Sequence, residues 1–117
     1  MVLSNFDAAC VWDMLRAIAE IKEDTTGLSF GDFQVNRLVR RAVERNLIIL
    51  GEAARRVSEV FRLAHPEVDW RGMIGLRNIL AHQYEKVRDE ILWDVVTGML
   101  STLEKQLQGF LDGLKYE

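Results

Sequence analysis

Residues 77–84 read "RNILAHQY" and place Arg77, Asn78, His82 and Tyr84 within eight positions. These side chains suit phosphodiester chemistry. A guanidinium is permanently charged and forks onto phosphate oxygens, so Arg77 can offset the charge of a pentavalent phosphorus centre. An imidazole titrates near neutrality, so His82 can take up or release a proton. Cleavage of RNA through its 2′-hydroxyl needs both a base and an acid. Asn78 can orient the imidazole or the substrate, and Tyr84 can donate to a phosphate oxygen or accept a modifying group. A second reading is structural: Arg, His and Tyr near a helix end also serve as caps and surface hydrogen bonds.

Geometry limits what one copy of this set can do. At 100° per residue, Arg77 and Tyr84, seven apart, share one helix edge, whereas Arg77 and His82 sit about 140° apart. Either the helix opens near His82, or the groups line a groove completed by something else. A second copy related by a two-fold axis would complete it and supply the second imidazole.

Helices must position this set. One proline and the lack of Asn-Gly or Asp-Gly turns weigh against a sheet. Ser4 and Asp7 resemble a capping box, followed by a stripe of Phe6, Cys10, Val11, Met14, Ala17, Ile18 and Ile21. "DTTG" at 24–27 ends that helix, with Gly27 at its cap. "LSFGDF" at 28–33 is a connector or a single turn. A long helix over about 34–64 buries Val39, Ala42, Val43, Ile49, Leu50, Ala53, Val57, Val60 and Phe61. Asn46 falls within that stripe, where an amide needs partners.

Pro66 breaks the chain. Asp69 can cap a third helix over about 70–83, and Asp89 a fourth over about 90–114. The last is striped by Leu92, Val96, Met99, Leu100, Leu103, Leu107, Phe110, Leu111 and Leu114. The expected fold is all-α, one domain over residues 1–117, an antiparallel four- to five-helix bundle.

Composition narrows the function classes. A net charge of −3 argues against gripping nucleic acid by bulk charge, so any such contact is local. Arg37, Arg40, Arg41, Arg45, Arg55 and Arg56 can track an RNA backbone, but Glu44, Glu52 and Glu59 interleave them, and an ion-paired solvated face is the simpler reading. Cys10 lies on an apolar stripe and reads as core. His65 reads as a helix-end residue, and Trp70 and Trp93 as core rather than base-stacking groups. His65 and His82 lie in different segments, and no acid stands four residues from His82, so no metal site is expected. No glycine-rich phosphate loop or nucleophile elbow is present, and no cofactor is expected. Neither a leader following Met1 nor an apolar run near 18 residues is evident, which fits a cytoplasmic protein.

The pattern R-x4-H-x-Y in "RNILAHQY" resembles the signature of the HEPN superfamily, in particular its HepT-like toxin branch. "RNLIILGEAARRVSE" at 45–59 resembles that family's second helix, "HPEVDWRGMIGLRN" at 65–78 its approach to the motif, and "VRDEILWDVV" at 87–96 the start of its last helix. The resemblance covers nearly the whole chain. It implies an all-helical homodimer with a composite cleft, acting as a metal-independent ribonuclease. Carried onto this chain, Arg77 and His82 are the catalytic pair, Asn78 the polar residue after the arginine, and Tyr84 the motif tyrosine. The implied partner is a minimal nucleotidyltransferase antitoxin that silences the toxin by adenylylating Tyr84. Glu52 matches the family's helix-two acid. Arg88 intervenes where many relatives place Asp directly after Val, which shifts the last cap by one residue. Two other functions stay open: a non-catalytic partner that binds substrate for the nucleotidyltransferase, and a structural dimer whose motif stitches an interface.

Overall fold

The structure, a computed structural model, describes residues 3–114; Met1 and the side chain of Leu114 lie outside what it describes. The described residues are all helical in their regular structure, with no strand. α1 (Asn5–Thr25) opens on Ser4, whose hydroxyl accepts the Asp7 N–H at 3.1 Å. Gly27, at φ +77°, ends it in the left-handed conformation that costs a glycine least. α2 (Phe30–Val35) is a full helical piece rather than a bare connector, because Ser29 and Asp32 form a reciprocal capping box.

The helix expected over 34–64 is three pieces. α3 (Arg37–Arg56) starts on Asn36, whose side chain accepts the Val39 N–H, and α4 (Glu59–Ala64) starts on Ser58, whose hydroxyl accepts the Phe61 N–H. The break at Val57–Ser58 is fixed from α1. Asp7 accepts the Ser58 N–H at 2.8 Å and the Ser58 hydroxyl at 2.7 Å. Asp7 is therefore buried, and it does not close the capping box with Ser4 expected from sequence.

α5 (Trp70–Gln83) is capped by Asp69, as the sequence predicts, through the Gly72 N–H at 3.0 Å. A 3₁₀ turn at Tyr84–Lys86 follows. α6 (Asp89–Asp94) runs through a π-turn at Val95–Met99 into α7 (Leu100–Leu114). Arg88 rather than Asp89 holds the cap position, and Asp89 lies 3.8 Å from the Arg40 guanidinium. Among the described residues the helical run over 89–114 is continuous, as expected for the fourth helix, and the departures from the expected bundle are the separate α2 and the break between α3 and α4.

α3 lies between α1 and α5 and runs antiparallel to both: Asp7 meets Ser58, Gly51 meets Arg77 and Arg41 meets Tyr84. Lys22 ties α1 to α7 through Glu104 at 2.7 Å. Cys10, Val11, Met14, Ile18, Val43, Leu50, Phe61, Leu80, Leu92, Leu100 and Leu107 fill the core. The helical stripes are mostly right, but Phe6, Ile49, Val60 and Met99 face outward while Leu47, Ala54 and Val95 are buried. The π-turn explains the exchange at 95–99, since its extra residue rotates the stripe. Trp70 is buried and donates to the His65 carbonyl at 2.9 Å, and Trp93 packs on Phe33. His65 ends α4 with its ring between Phe61 and Phe110. Asn46 is buried, and no hydrogen bond joins its amide to another described residue.

Candidate functional site

The motif arginine is seated by two consecutive residues of α3. A Cβ built on Gly51 would fall well inside contact distance of the Arg77 Cβ and 2.7 Å from the Met73 carbonyl oxygen. Only glycine lets α3 and α5 approach this closely, which brings Arg77 beside Glu52. The Arg77 Nη2 lies 3.2 Å from Glu52 Oε2, and its Nη1 donates to Asn78 Oδ1 at 3.0 Å. Arg77 Nε is buried without a hydrogen-bond partner. The guanidinium is thus held from two sides while its side chain keeps 26% of its exposure.

Glu52 serves two arginines. Arg55 donates to it at 2.6 Å and 3.4 Å. That hydrogen bond, with the charges of Arg55 and Arg77 behind it, holds the Glu52 carboxyl below the usual glutamate range. The shift favours the ionised form of Glu52, the counterion of Arg77.

The other motif residues are placed differently. α5 stays helical through Gln83, so it does not open at His82. His82 is exposed, and no hydrogen bond joins it to Arg77 or Asn78. The amide of Asn78 serves the guanidinium rather than the imidazole. Tyr84 does not share the Arg77 edge as an unbroken helix would require. Gln83, at φ −144° and ψ 44°, turns the chain, and the Tyr84 ring lies 5.0 Å from the Arg41 guanidinium carbon. The tyrosine remains half exposed. One chain thus brings together Arg77, Asn78 and Glu52, and leaves His82 and Tyr84 open to solvent.

Two contacts went unread in the sequence: Gly51 was read only as part of the second-helix pattern and Arg41 only as part of the basic stripe, and neither reading placed them against Arg77 and Tyr84. Cys10 is buried in the core, which raises its thiol pKa, in keeping with a packing role. Among the described residues, no three His, Cys, Asp or Glu side chains gather as a metal site would require. No helix among them is long and apolar enough to cross a membrane.

The chain is similar to proteins that carry ribonuclease names. A Methanocaldococcus jannaschii protein provisionally named an RNase is 35% identical over 86% of this chain and 92% of its own. A Caldanaerobacter subterraneus protein with a similarly provisional RNase name is 36% identical over 76% of this chain and 80% of its own. A Thermococcus cleftensis protein named "Probable ribonuclease HepT" is 34% identical over 82% of this chain and 87% of its own. No solved structure gives a significant match. The family profile described as "Ribonuclease HepT-like" matches residues 14–109, a span that takes in Glu52, Arg77, His82 and Tyr84, and the chain belongs to that ribonuclease family.

Proposed function

We propose that this protein is a metal-independent endoribonuclease toxin that cleaves RNA in a cleft between two copies of the chain. The observation that carries the reading is the seat of Arg77: a guanidinium held by Glu52 and Asn78, in a ribonuclease family, with the motif histidine exposed and without a partner among the described residues. A guanidinium fixed in this way has little entropy left to lose when a phosphate docks on it.

The reaction divides into two proton transfers. One His82 imidazole takes the proton of the ribose 2′-hydroxyl as that oxygen attacks phosphorus. The P–O5′ bond breaks, and the 5′-oxygen receives a proton from the imidazolium of the second copy. The products are a 2′,3′-cyclic phosphate and a 5′-hydroxyl, and Arg77 offsets the charge on the phosphorus oxygens throughout. The two-fold arrangement answers the geometric problem of a helix that cannot face Arg77 and His82 the same way. Ile49, an exposed apolar residue of α3 in the cavity that Arg77 lines, supports an interface at this face.

Tyr84 is the proposed acceptor of AMP from a cognate minimal nucleotidyltransferase. Its exposure gives an enzyme access, and Arg41 stands against its ring, where the added phosphate would find a cation. An adenylyl group there would obstruct the cleft. Expression in a bacterial host tests this reading. Wild type should arrest growth and Arg77→Ala should not. Co-expressed nucleotidyltransferase should restore growth and add adenylyl mass to wild type, while Tyr84→Phe stays toxic beside it. Arrest by Arg77→Ala equal to wild type, or silencing of Tyr84→Phe, would contradict it.

A further inference from the structure

The arginines of α3 divide into two sets. Arg40 bonds the Gln34 carbonyl and approaches Asp89, Arg41 pairs with Glu44, and Arg55 pairs with Glu52. Arg37, at the start of α3, makes no ion pair with any described residue and is exposed; Arg45 and Arg56 likewise make none, and both are exposed. These two and Arg77 line one cavity of about 250 Å³ between α1 and α3, together with Ile48, Ile49 and the carboxylates of Asp13 and Glu52. Glu52 is engaged by Arg55 and Arg77 and feels the charge of Arg56 as well, so the cavity sets three guanidinium groups against two carboxylates, Glu52 and Asp13. Two cations without an ion pair beside the motif arginine, in a protein of net charge −3, form a local anion site of the kind bulk composition conceals.

We infer that Arg45 and Arg56 form a second phosphate subsite, holding the RNA phosphate next to the one on Arg77. The inference rests on the ribonuclease reading. It adds to that reading the residues that position the strand beside the scissile bond. Arg77 belongs to both sites, so the chain's register is set where the chemistry occurs. Guanidinium groups on neighbouring phosphates carry no base information, so the subsite favours RNA binding without sequence preference. Asp13 works against the subsite, and its removal should strengthen binding.

Affinity for a short single-stranded RNA, measured by fluorescence anisotropy in EDTA across a salt series, tests the inference. A His82→Ala background prevents cleavage. Arg45→Gln with Arg56→Gln should weaken binding about 10-fold and flatten the salt slope by about 0.7, the share of one single-strand phosphate. Asp13→Asn should move affinity the other way, and lysine at 45 and 56 should regain most of the loss. Arg16→Gln with Lys105→Gln removes two charges from the separate α1–α7 groove and serves as the control. With His82 restored, the glutamine pair should raise KM and spare kcat. Thermal melting alongside separates weak binding from misfolding, which matters because Arg56 also lies over the Phe6 ring. If wild type cleaves RNA and the glutamine pair matches the control in affinity and slope, the subsite is wrong and the ribonuclease reading stands. If wild type neither binds nor cleaves RNA, both fall.

Discussion

Arg77 and Glu52 form the pair on which the account turns at the scale of single residues. The Arg55 hydrogen bond depresses the Glu52 carboxyl, so the Arg77–Glu52 pair is complete above the usual glutamate range. It is lost only as pH falls through that depressed value. Between about pH 5 and 8, Glu52 therefore contributes a constant, and any change of rate in that window has another source. Glu52→Gln should lower kcat/KM about 10-fold uniformly across it, leaving the shape of the pH–rate profile unchanged. A shifted profile would show that Glu52 itself titrates in the reaction. The residue types of this candidate site stand out in the sequence, although Arg, His and Tyr near a helix end also serve as caps and surface hydrogen bonds, and it is the flanking resemblance that favours chemistry. Their partnerships were not legible. Asn78 was read as serving imidazole or substrate and instead serves the guanidinium, and Glu52 is far from Arg77 along the chain.

Between elements, the seat depends on one missing side chain and one buried carboxylate. Gly51→Ala would drive a methyl group into Arg77 Cβ and the Met73 carbonyl, neither of which is a flexible chain end. Overpacking of this kind costs about 1–3 kcal/mol or more. It should lower the melting temperature and displace Arg77, so activity falls further than stability accounts for. Asp7→Ala acts elsewhere: it leaves the Ser58 N–H without its acceptor and frees the joint between α3 and α4, at about 1–3 kcal/mol, with the motif untouched. Denaturant unfolding and activity measured on both variants should therefore separate them. The elements were legible wherever a stripe and a cap coincided, as at Asp69 and α5. They were not legible at Val57–Ser58, where the apolar pattern runs on unbroken. Only Asp7, arriving from α1, shows that Ser58 begins a new helix. The π-turn at 95–99 escaped for a related reason, since it rotates a stripe without ending it.

For the molecule as a whole, a flat shape of 46 × 29 × 19 Å leaves much of each helix at the surface. Ile49 and Ile79 remain exposed near the motif, and α5 is a regular helix from end to end, so no opening within one chain brings His82 round to Arg77. The all-α class was legible from periodicity alone. The proposed two-fold cleft follows from the angular separation of two residues on one helix. The most direct measurement is cleavage of total RNA in excess EDTA by the purified protein, with Tyr84 confirmed unmodified by intact mass, beside His82→Ala. The account predicts fragments ending in 2′,3′-cyclic phosphate from wild type and none from the variant. A folded, dimeric wild type that leaves RNA intact would contradict it, and would point to a non-catalytic partner of a nucleotidyltransferase.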